Sequence, residues 1–466
     1  MTTSADRDGT VRPLTLPERV LLSSDRPEVP VVVALLGRTD GHVDAAALTE
    51  AATVVFANHR ATRSELADRA GVEGWRSAAR PRRAPVAEVE VASREDAWSA
   101  LRRLILPGID LGRAPLVRLL VAHHPAGDFL GAVAHHLALD GRGLLTLLTE
   151  MTACYQPSAD WAEPGGEARA LPRYRPIVGL RPAVRGRVLR RLAAGPRFLA
   201  PVGPPGAGGL AFVPRVVATP RPASLPDGRV PSVNDLLIAA GHLAADRWNS
   251  RRGRVSGTLR VRVAVGGVAH DQLEGAATGF ALVASDPALR AQPTRLLAAV
   301  LDRTTAIKAR GPAAPPGLAG PGLQGKAVRL ADLLITATPP RARAAVLRLA
   351  IDAARPVFMP TLAVSNLGHV PSGLTVGLDG PRLLDMHFAA TPRMPQGLVV
   401  HVARMAGQVH LTFTYALELF DAAAAREFAD LFLAAMAELE VRFAPEAAVR
   451  LEAVAARGTG PSRGQF

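Results

Sequence analysis

The segment 116–155 constrains the fold more than any other part of the chain. Two apolar runs, LVRLLVAHH at 116–124 and FLGAVAHH at 129–136, flank Pro-Ala-Gly-Asp. That composition is typical of a turn between antiparallel strands. After LALDGRG, the stretch LLTLLTEMTACY at 144–155 has one apolar helical face. The segment therefore predicts a hairpin that leads through a short loop into a helix, and we expect the chemistry at that junction.

Two adjacent histidines end the second of these strands. His135, His136, Asp140 and Gly141 form the pattern HHxxxDG. Because neighbouring residues of a strand point to opposite faces, one histidine can face a cavity while the other packs into the core. An imidazole with its ordinary pKa of ~6.5 can accept a proton from an amine or alcohol that attacks a thioester. Asp140 can orient the loop, and Gly141 permits a tight turn. A histidine pair at a strand end is, however, more often structural than catalytic.

The same spacing occurs a second time in the chain. His123, His124 and Asp128 also fit HHxxxD, but they lie in the predicted hairpin turn. Phe129 takes the place of the glycine, and no helix follows. We therefore predict a solvated turn there, and the bare spacing is weak evidence for a site.

The net charge of the chain indicates which kinds of molecule it can attract. The 466 residues carry a formal net charge of +14. A basic surface attracts nucleic acid, anionic lipid, a nucleotide-bearing cofactor or an acidic carrier protein. No nucleic-acid-binding module is recognisable, so we expect no nucleic-acid partner. The stretch 173–197 has eight arginines and no acid; it is either a solvated surface helix or a docking surface for a carrier protein, coenzyme A or a membrane.

Cysteine count and hydropathy indicate the compartment. Cys154 is the only cysteine, so neither an intramolecular disulfide nor a cysteine-based metal cluster can form. The other histidines lack ligand spacing, and we predict no metal. The polar N-terminus is no signal peptide, and apolar runs such as VPVVVALLG at 29–37 are shorter than the ~18 residues of a membrane span. We expect a soluble, cytoplasmic protein.

The C-terminal part repeats the same kinds of element. PSVNDLLIAAGHLAADRW at 231–248 predicts a helix with Ser232 or Asn234 as its cap. GLVVHVARMAGQVHLTFTYALELF at 397–420 predicts a second hairpin that turns near Ala406 and Gly407. Each half of the chain thus combines strands, a hairpin and large helices, and we infer two halves of similar build.

The surroundings of the HHxxxDG pattern resemble the condensation domains of nonribosomal peptide synthetases and their free-standing acyltransferase relatives. In that family a DL…PL.R stretch precedes the hairpin, and Asp110-Leu111, Pro115-Leu116 and Arg118 match it. Other similar segments follow in chain order: RPLTLPE at 12–18, SVNDLLIAA at 232–240, SNLG at 365–368 and YALELFD at 415–421. The resemblance covers residues 12–443.

The resemblance implies a mixed α/β fold in which two chloramphenicol acetyltransferase-like halves form a V with a channel between them. On this basis we expect a disordered lead at 1–12 and an N-terminal half at 13–180 that carries the motif. An Arg-, Pro- and Gly-rich crossing segment at 181–230 then leads to a C-terminal half at 231–466. A monomer of this build can hold a complete site.

The resemblance also assigns roles to the motif. It makes His136 the general base, or the group that positions the attacking nucleophile. His135, Asp140 and Gly141 would support the motif, with Asp140 held by an arginine from the second half.

Further site residues come from the second half. The family's usual arginine is absent from its expected place after LRVRVAV, which leaves Arg262, Arg393 and Arg404 as candidates to pair with the motif aspartate. Ser365 and Asn366 are candidate substrate-binding residues, as hydrogen-bond donors near the thioester carbonyl. The alternative interpretation of Ser365 and Asn366 is an ordinary turn that closes a strand.

The implied activity is transfer of an acyl group from a thioester to an amine or hydroxyl acceptor, by a free-standing enzyme of natural-product biosynthesis. The donor would be acyl-CoA or the phosphopantetheine arm of an acyl or peptidyl carrier protein. No permanently bound cofactor is needed, since the thioester is already activated. One alternative is a wax-ester-type lipid acyltransferase that uses acyl-CoA at a membrane surface. Another is a catalytically silent module that recruits a synthetase, although such modules usually lose the histidine pair.

Overall fold

The computed structural model describes residues 11–22, 24–69, 72–77, 82–157, 197–203, 208–222, 224–265, 279–309 and 359–441. Two sequence predictions lie largely outside these ranges, namely the lead at 1–12 except for its last two residues and the Arg-rich stretch except for Arg197. The crossing segment at 181–230 lies partly outside them.

The strands in the described ranges form three sheets. In chain order they are β1 (Arg12–Pro13), β2 (Val32–Thr39), β3 (Ser64–Arg69), β4 (Val72–Ser77), β5 (Val86–Glu90), β6 (Val117–His123), β7 (Phe129–His135), β8 (Leu210–Ala218), β9 (Leu259–Val265), β10 (Gly279–Ser285), β11 (Leu362–His369), β12 (Leu383–Ala390), β13 (Leu398–Met405) and β14 (Gln408–Ala416). The smallest sheet has the order β1-β4-β3. Strand β1 therefore begins within the segment expected to be a disordered lead, and that end of the prediction is wrong.

The helices alternate with these strands, as a mixed α/β fold requires. In chain order they are α1 (Leu16–Leu22), α2 (Ala45–Asn58), α3 (Arg60–Arg63), α4 (Arg94–Ile105), α5 (Gly141–Cys154), α6 (Val233–Ser250), α7 (Pro287–Arg290), α8 (Pro293–Ala309) and α9 (Ala422–Val441). Helix α6 begins at a complete capping box, in which Ser232 and Asp235 satisfy each other's backbone N–H groups. The predicted cap at Ser232 is thus confirmed.

The predicted hairpin of the first half is confirmed as β6 and β7, which pair antiparallel in the centre of a five-stranded sheet. The order of that sheet is β12-β2-β7-β6-β5, and helices α2, α4 and α5 pack against it. The second predicted hairpin is β13 and β14. Its turn is made by Ala406 and Gly407, both with positive φ, a conformation that Gly adopts at little cost.

The second large sheet has two chemically different faces. Its order is β10-β9-β11-β13-β14-β8. One face is apolar: Phe413 packs edge-on against Phe428 and Phe432 of helix α9. The opposite face carries polar side chains, namely Arg262, Ser365, His401, His410, Thr412 and Thr414. Because side chains alternate along a strand, the register places these six side chains on the side away from α9.

The polar face is turned toward the first sheet. His401 on β13 makes an edge-on contact with Phe388 on β12, with 5.1 Å between ring centroids. Trp98 of helix α4 packs on Phe212 of β8 at 4.9 Å. The two halves therefore meet through this face.

The sheets do not follow the boundaries drawn along the sequence. Strand β12 lies within the predicted C-terminal half, yet it pairs antiparallel with β2 at the edge of the first sheet. Strand β8 lies within the predicted crossing segment, yet it is the edge strand of the second sheet. The physical reason is that buried backbone N–H and C=O groups need hydrogen-bond partners. Strand β12 supplies them to the edge of β2 that is buried where the two halves meet. The two halves are consequently interlocked.

The predicted solvated turn is exposed at its tip, Pro125 and Ala126, but the aspartate of the second HHxxxD copy is not solvated. Asp128 is fully buried, and each of its carboxylate oxygens accepts two hydrogen bonds. One oxygen accepts from His42 Nδ1 (2.9 Å) and the backbone N–H of His124 (3.2 Å). The other accepts from His123 Nδ1 and the backbone N–H of Val43, both at 2.8 Å. Although burial raises the pKa of Asp128, these bonds hold it below its usual value.

His42, His123 and Asp128 are also a set that could hold a metal ion, because one ligand atom of each lies within 4.8 Å of the others. The hydrogen bonds already satisfy both carboxylate oxygens. The second HHxxxD copy is therefore a structural network that is complete without an ion.

Candidate functional site

The candidate site forms where β7 ends and helix α5 begins. His135 is the last residue of β7 and is fully buried. Its Nδ1 accepts a hydrogen bond from the backbone N–H of Leu137 (3.1 Å), so its proton lies on Nε2, which donates to Asp25 (3.3 Å). Asp25 also accepts from the backbone N–H of Val31 (2.8 Å). His135 thus braces the strand end and has no ring nitrogen left for a substrate.

His136 is the next residue, and its ring is only half-buried. Its backbone N–H is held by the carbonyl of Val31 (3.1 Å). Its Nδ1 is buried and makes no hydrogen bond to a residue in the described ranges. Burial, followed by the positive charge of Arg393, lowers the pKa of His136 to about 4. The expected pKa near ~6.5 is therefore not what the fold produces, and the ring is a neutral hydrogen-bonding group at physiological pH.

Asp140 and Gly141 start helix α5 behind the histidines. Asp140 is the N-cap, and its carboxylate accepts from the backbone N–H of Gly143 (2.9 Å). Gly141 does not have a positive φ, so the role predicted for it in a tight turn is wrong. A Cβ at Gly141 would lie 2.7 Å from the ring of Phe388 and 3.2 Å from Leu367. Glycine is needed because β12 and β11 pack directly onto the helix start.

Negative and positive charges both act on the His136 ring. The charge of Asp140 raises its pKa and that of Arg393 lowers it, after the larger effect of burial. Of the three candidate arginines, Arg393 is thus the one whose charge reaches the motif. Arg262 and Arg404 form no ion pair in the described part of the chain.

His401 is a site residue that the sequence reasoning missed. It lies on the polar face of the second sheet, and its Nδ1 is 3.2 Å from the hydroxyl of Thr414. Burial, then the charges of Arg262 and His136, lowers its pKa to about 3. The signal for it was a single polar residue within the apolar run LVVHVA of β13, followed by His410, Thr412 and Thr414 at every second position of β14.

Ser365 and Asn366 lie in strand β11, so the predicted turn is wrong. The strand continues to His369 through a shift in register after Asn366. Ser365 is in register with His401 on β13, which places it on the polar face. The side chain of Asn366 instead bonds the backbone N–H of Gly368 (2.9 Å) and the side chain of Asn234 (3.3 Å). The structure brings Ser365, but not Asn366, to the side of His401.

The length and hydropathy of the helices bear on whether any of them can cross a membrane. Among the helices of the described ranges, none is both long and apolar enough to cross a membrane.

Comparison with solved structures identifies the fold. The first condensation domain of the CDA synthetase superposes with a TM-score of 0.58 and 14% identity, covering 93% of this chain and 97% of that chain. The starter condensation domain of rhizomide synthetase, solved with C8-CoA, gives 0.57 and 15%, covering 93% and 95%. The wax ester synthase/diacylglycerol acyltransferase from Marinobacter aquaeolei VT8 gives 0.54 and 14%, covering 93% and 100%. No protein-family model matches the sequence, and no curated protein matches it. The predicted mixed α/β fold is confirmed, and it matches the fold of condensation domains.

Proposed function

We propose that this chain, which has the fold of condensation domains, transfers an acyl group from a thioester to an amine or hydroxyl acceptor. The observation that carries the proposal is the neutral, half-buried ring of His136 directly after the end of β7. Helix α5 begins five residues later, where Gly141 packs against Phe388 of β12 and Leu367 of β11. A neutral imidazole so placed is suited to accept a hydrogen bond from an attacking nucleophile.

The reaction follows from this protonation state. The acceptor's N–H or O–H donates to the neutral imidazole, which turns the acceptor's lone pair toward the thioester carbonyl. The new C–N or C–O bond forms at the carbonyl carbon to give a tetrahedral intermediate, which collapses as the C–S bond breaks, and the acceptor's proton ends on the departing thiolate. Because a group with a pKa of about 4 is a weak base, we assign His136 mainly the role of positioning the nucleophile. Arg393, whose charge reaches this ring, is a candidate to stabilise the negative oxygen of the tetrahedral intermediate.

The donor is a thioester of coenzyme A or of a carrier protein. The rhizomide starter domain was solved with C8-CoA, which supports coenzyme A thioesters as the first donors to test. Ser365 lies on the polar face in register with His401, and we propose that its hydroxyl is a donor to the thioester carbonyl. The Marinobacter enzyme is a wax ester synthase, which makes a long-chain alcohol a necessary member of the acceptor panel.

The test is turnover by the purified chain and its His136→Ala variant, with acyl-CoA and acyl-carrier thioesters and a panel of amines and alcohols. We expect the variant to lose about 10²–10⁴-fold in kcat/KM. His369→Ala is the matched control, because His369 is exposed at the end of β11, and it should keep wild-type activity. Equal turnover by His136→Ala and wild type would contradict the proposal. Absence of turnover from every thioester would favour the recruitment module instead.

A further inference from the structure

Arg262 is a half-buried guanidinium without an acidic partner. It lies on β9, and it makes no hydrogen bond or ion pair with any residue in the described ranges. Its described neighbour is the ring of Phe280, 5.4 Å from the guanidinium carbon. Burial lowers the pKa of Arg262 to about 10. Because its nitrogens are not sealed from solvent, this half-buried and unpaired cation is available to bind an anion.

Elsewhere the fold does satisfy a buried guanidinium. Arg290 is 3% exposed, and its nitrogens donate to the carbonyls of Ser285 (2.8 Å), Ser256 (2.8 Å) and Gly257 (2.9 Å). Its Nε also lies 3.0 Å from the carboxylate of Asp246. Arg290 is therefore held in place by groups of the protein itself, whereas Arg262 has none of these partners in the described part of the chain.

The position of Arg262 points to the candidate site. It is in register with Ala363 of β11, two residues before Ser365, so both side chains lie on the polar face. The charges of Arg262 and of His136 both lower the pKa of His401 after burial does. An anion bound to Arg262 would thus be held within the same site as His136.

The surface beside Arg262 is apolar and accessible. Leu282 is in register with Arg262, and Phe280 lies two residues before it on the same face of β10. They are 41% and 42% exposed, so both are open to contact with a ligand. Arg393 also approaches the Phe280 ring, at 5.8 Å. A ligand that fits here combines an anionic group with an apolar segment.

We propose that Arg262 binds an anionic group of the substrate, a carboxylate or a phosphate, and that Phe280 and Leu282 hold the adjoining apolar part. The inference rests on the proposed function and specifies its substrate class. A guanidinium can donate two parallel hydrogen bonds to either group. A substrate carboxylate fits the location better, because a whole pantetheine arm separates the phosphate from the thioester, whereas Arg262 shares its surroundings with His401 and His136.

The test compares kcat/KM of wild type, Arg262→Gln and Arg262→Lys for pairs of substrates. The two members of each pair differ in one anionic group. The donor pair is glutaryl-CoA and pentanoyl-CoA, and the acceptor pair is leucine and leucinamide. Acyl-CoA and acyl-pantetheine form the pair that differs in phosphate. We expect Arg262→Gln to lower kcat/KM roughly 10- to 100-fold for the anionic member of one pair and to leave its neutral partner unchanged. Arg262→Lys should lose less, since it keeps the charge.

Each pair identifies one source of the anion. Loss confined to glutaryl-CoA assigns a donor carboxylate, loss confined to leucine assigns an acceptor carboxylate, and loss confined to acyl-CoA assigns the phosphate. Arg215→Gln is the control, because Arg215 pairs with the exposed Asp430 at the far edge of the same sheet. It should leave all pairs unchanged. Equal loss for charged and neutral members would overturn the proposal by making Arg262 merely structural.

A binding measurement separates this inference from the proposed function. Calorimetric titration with glutarate and with its diamide, on wild type and Arg262→Gln, requires no turnover. Binding of glutarate alone, lost in the variant, supports the anion site even where no thioester reacts. The same titrations with leucine and with phosphopantetheine probe the other two sources of the anion, and indistinguishable titrations of wild type and variant with all three compounds would refute the proposal.

Discussion

Acid should destabilise this protein through histidines that are buried as neutral rings, and His242→Gln tests this most directly. His242 lies in helix α6 and has no exposed surface. Its Nδ1 is 2.8 Å from the hydroxyl of Ser285, and its Nε2 has no hydrogen-bond partner in the described part of the chain. Burial, then the positive charge of Arg290, lowers its pKa to about 3.

The sign of the effect follows from proton binding in the two states. An unfolded histidine has a pKa of ~6.5, so between about pH 6.5 and pH 3 the unfolded chain binds a proton that the folded chain does not. The free energy of unfolding must therefore fall as the pH falls through that window. For His242 alone the loss between about pH 8 and pH 5 is about 2 kcal/mol. The pKa values of His387 and His401 are also lowered to about 3, chiefly by burial. Three such groups lose about 6 kcal/mol, a large part of a typical total of about 5–15 kcal/mol.

The assay is urea unfolding of wild type and His242→Gln at about pH 8 and pH 5. Glutamine keeps a polar group near Ser285 but cannot bind the proton. We expect the decrease in unfolding free energy between the two pH values to be about 2 kcal/mol smaller in the variant, with an unchanged dependence on urea. The same decrease in both proteins would refute the reasoning, since it would show that His242 does not resist protonation in the folded state.

Three further predictions concern the HHxxxDG motif and the buried Asp128 of the β6–β7 turn. Gly141→Ala should lower the unfolding free energy by about 1–3 kcal/mol, because the new Cβ would meet the Phe388 ring. A second change, Phe388→Leu, should recover part of the lost melting temperature. A Gly141→Ala protein as stable as wild type would contradict this packing. Asp128→Asn should cost about 3–5 kcal/mol in urea unfolding, because it breaks a buried network, whereas Asp430→Asn, at an exposed ion pair, should cost little. In enzyme that is still folded, kcat/KM should change little between pH 8 and pH 5 and fall only as His136 is protonated near its pKa of about 4; an inflection close to ~6.5 would show that the ring is not desolvated.

Local features of the fold were predictable from the sequence because they depend on residues close together in the chain. The apolar runs on either side of Pro-Ala-Gly-Asp specify the β6–β7 hairpin, and the helix after the motif begins directly behind it. Ser232 caps α6 because a cap needs only its own next three residues. The HHxxxDG context likewise pointed to His136, although the spacing alone matched His123 and Asp128 equally well.

The tertiary structure decided what depends on residues far apart in sequence. Phe388 explains Gly141, although 247 positions separate them. Burial and the charge of the distant Arg393 lower the pKa of His136. Neither effect could be predicted from the residues around the motif. Register across the second sheet places Ser365 beside His401, whereas strand alternation turns Asn366 to the other face, where it bonds Asn234. Periodicity and turn chemistry are local, whereas burial and electrostatic fields are summed over everything that the fold brings near.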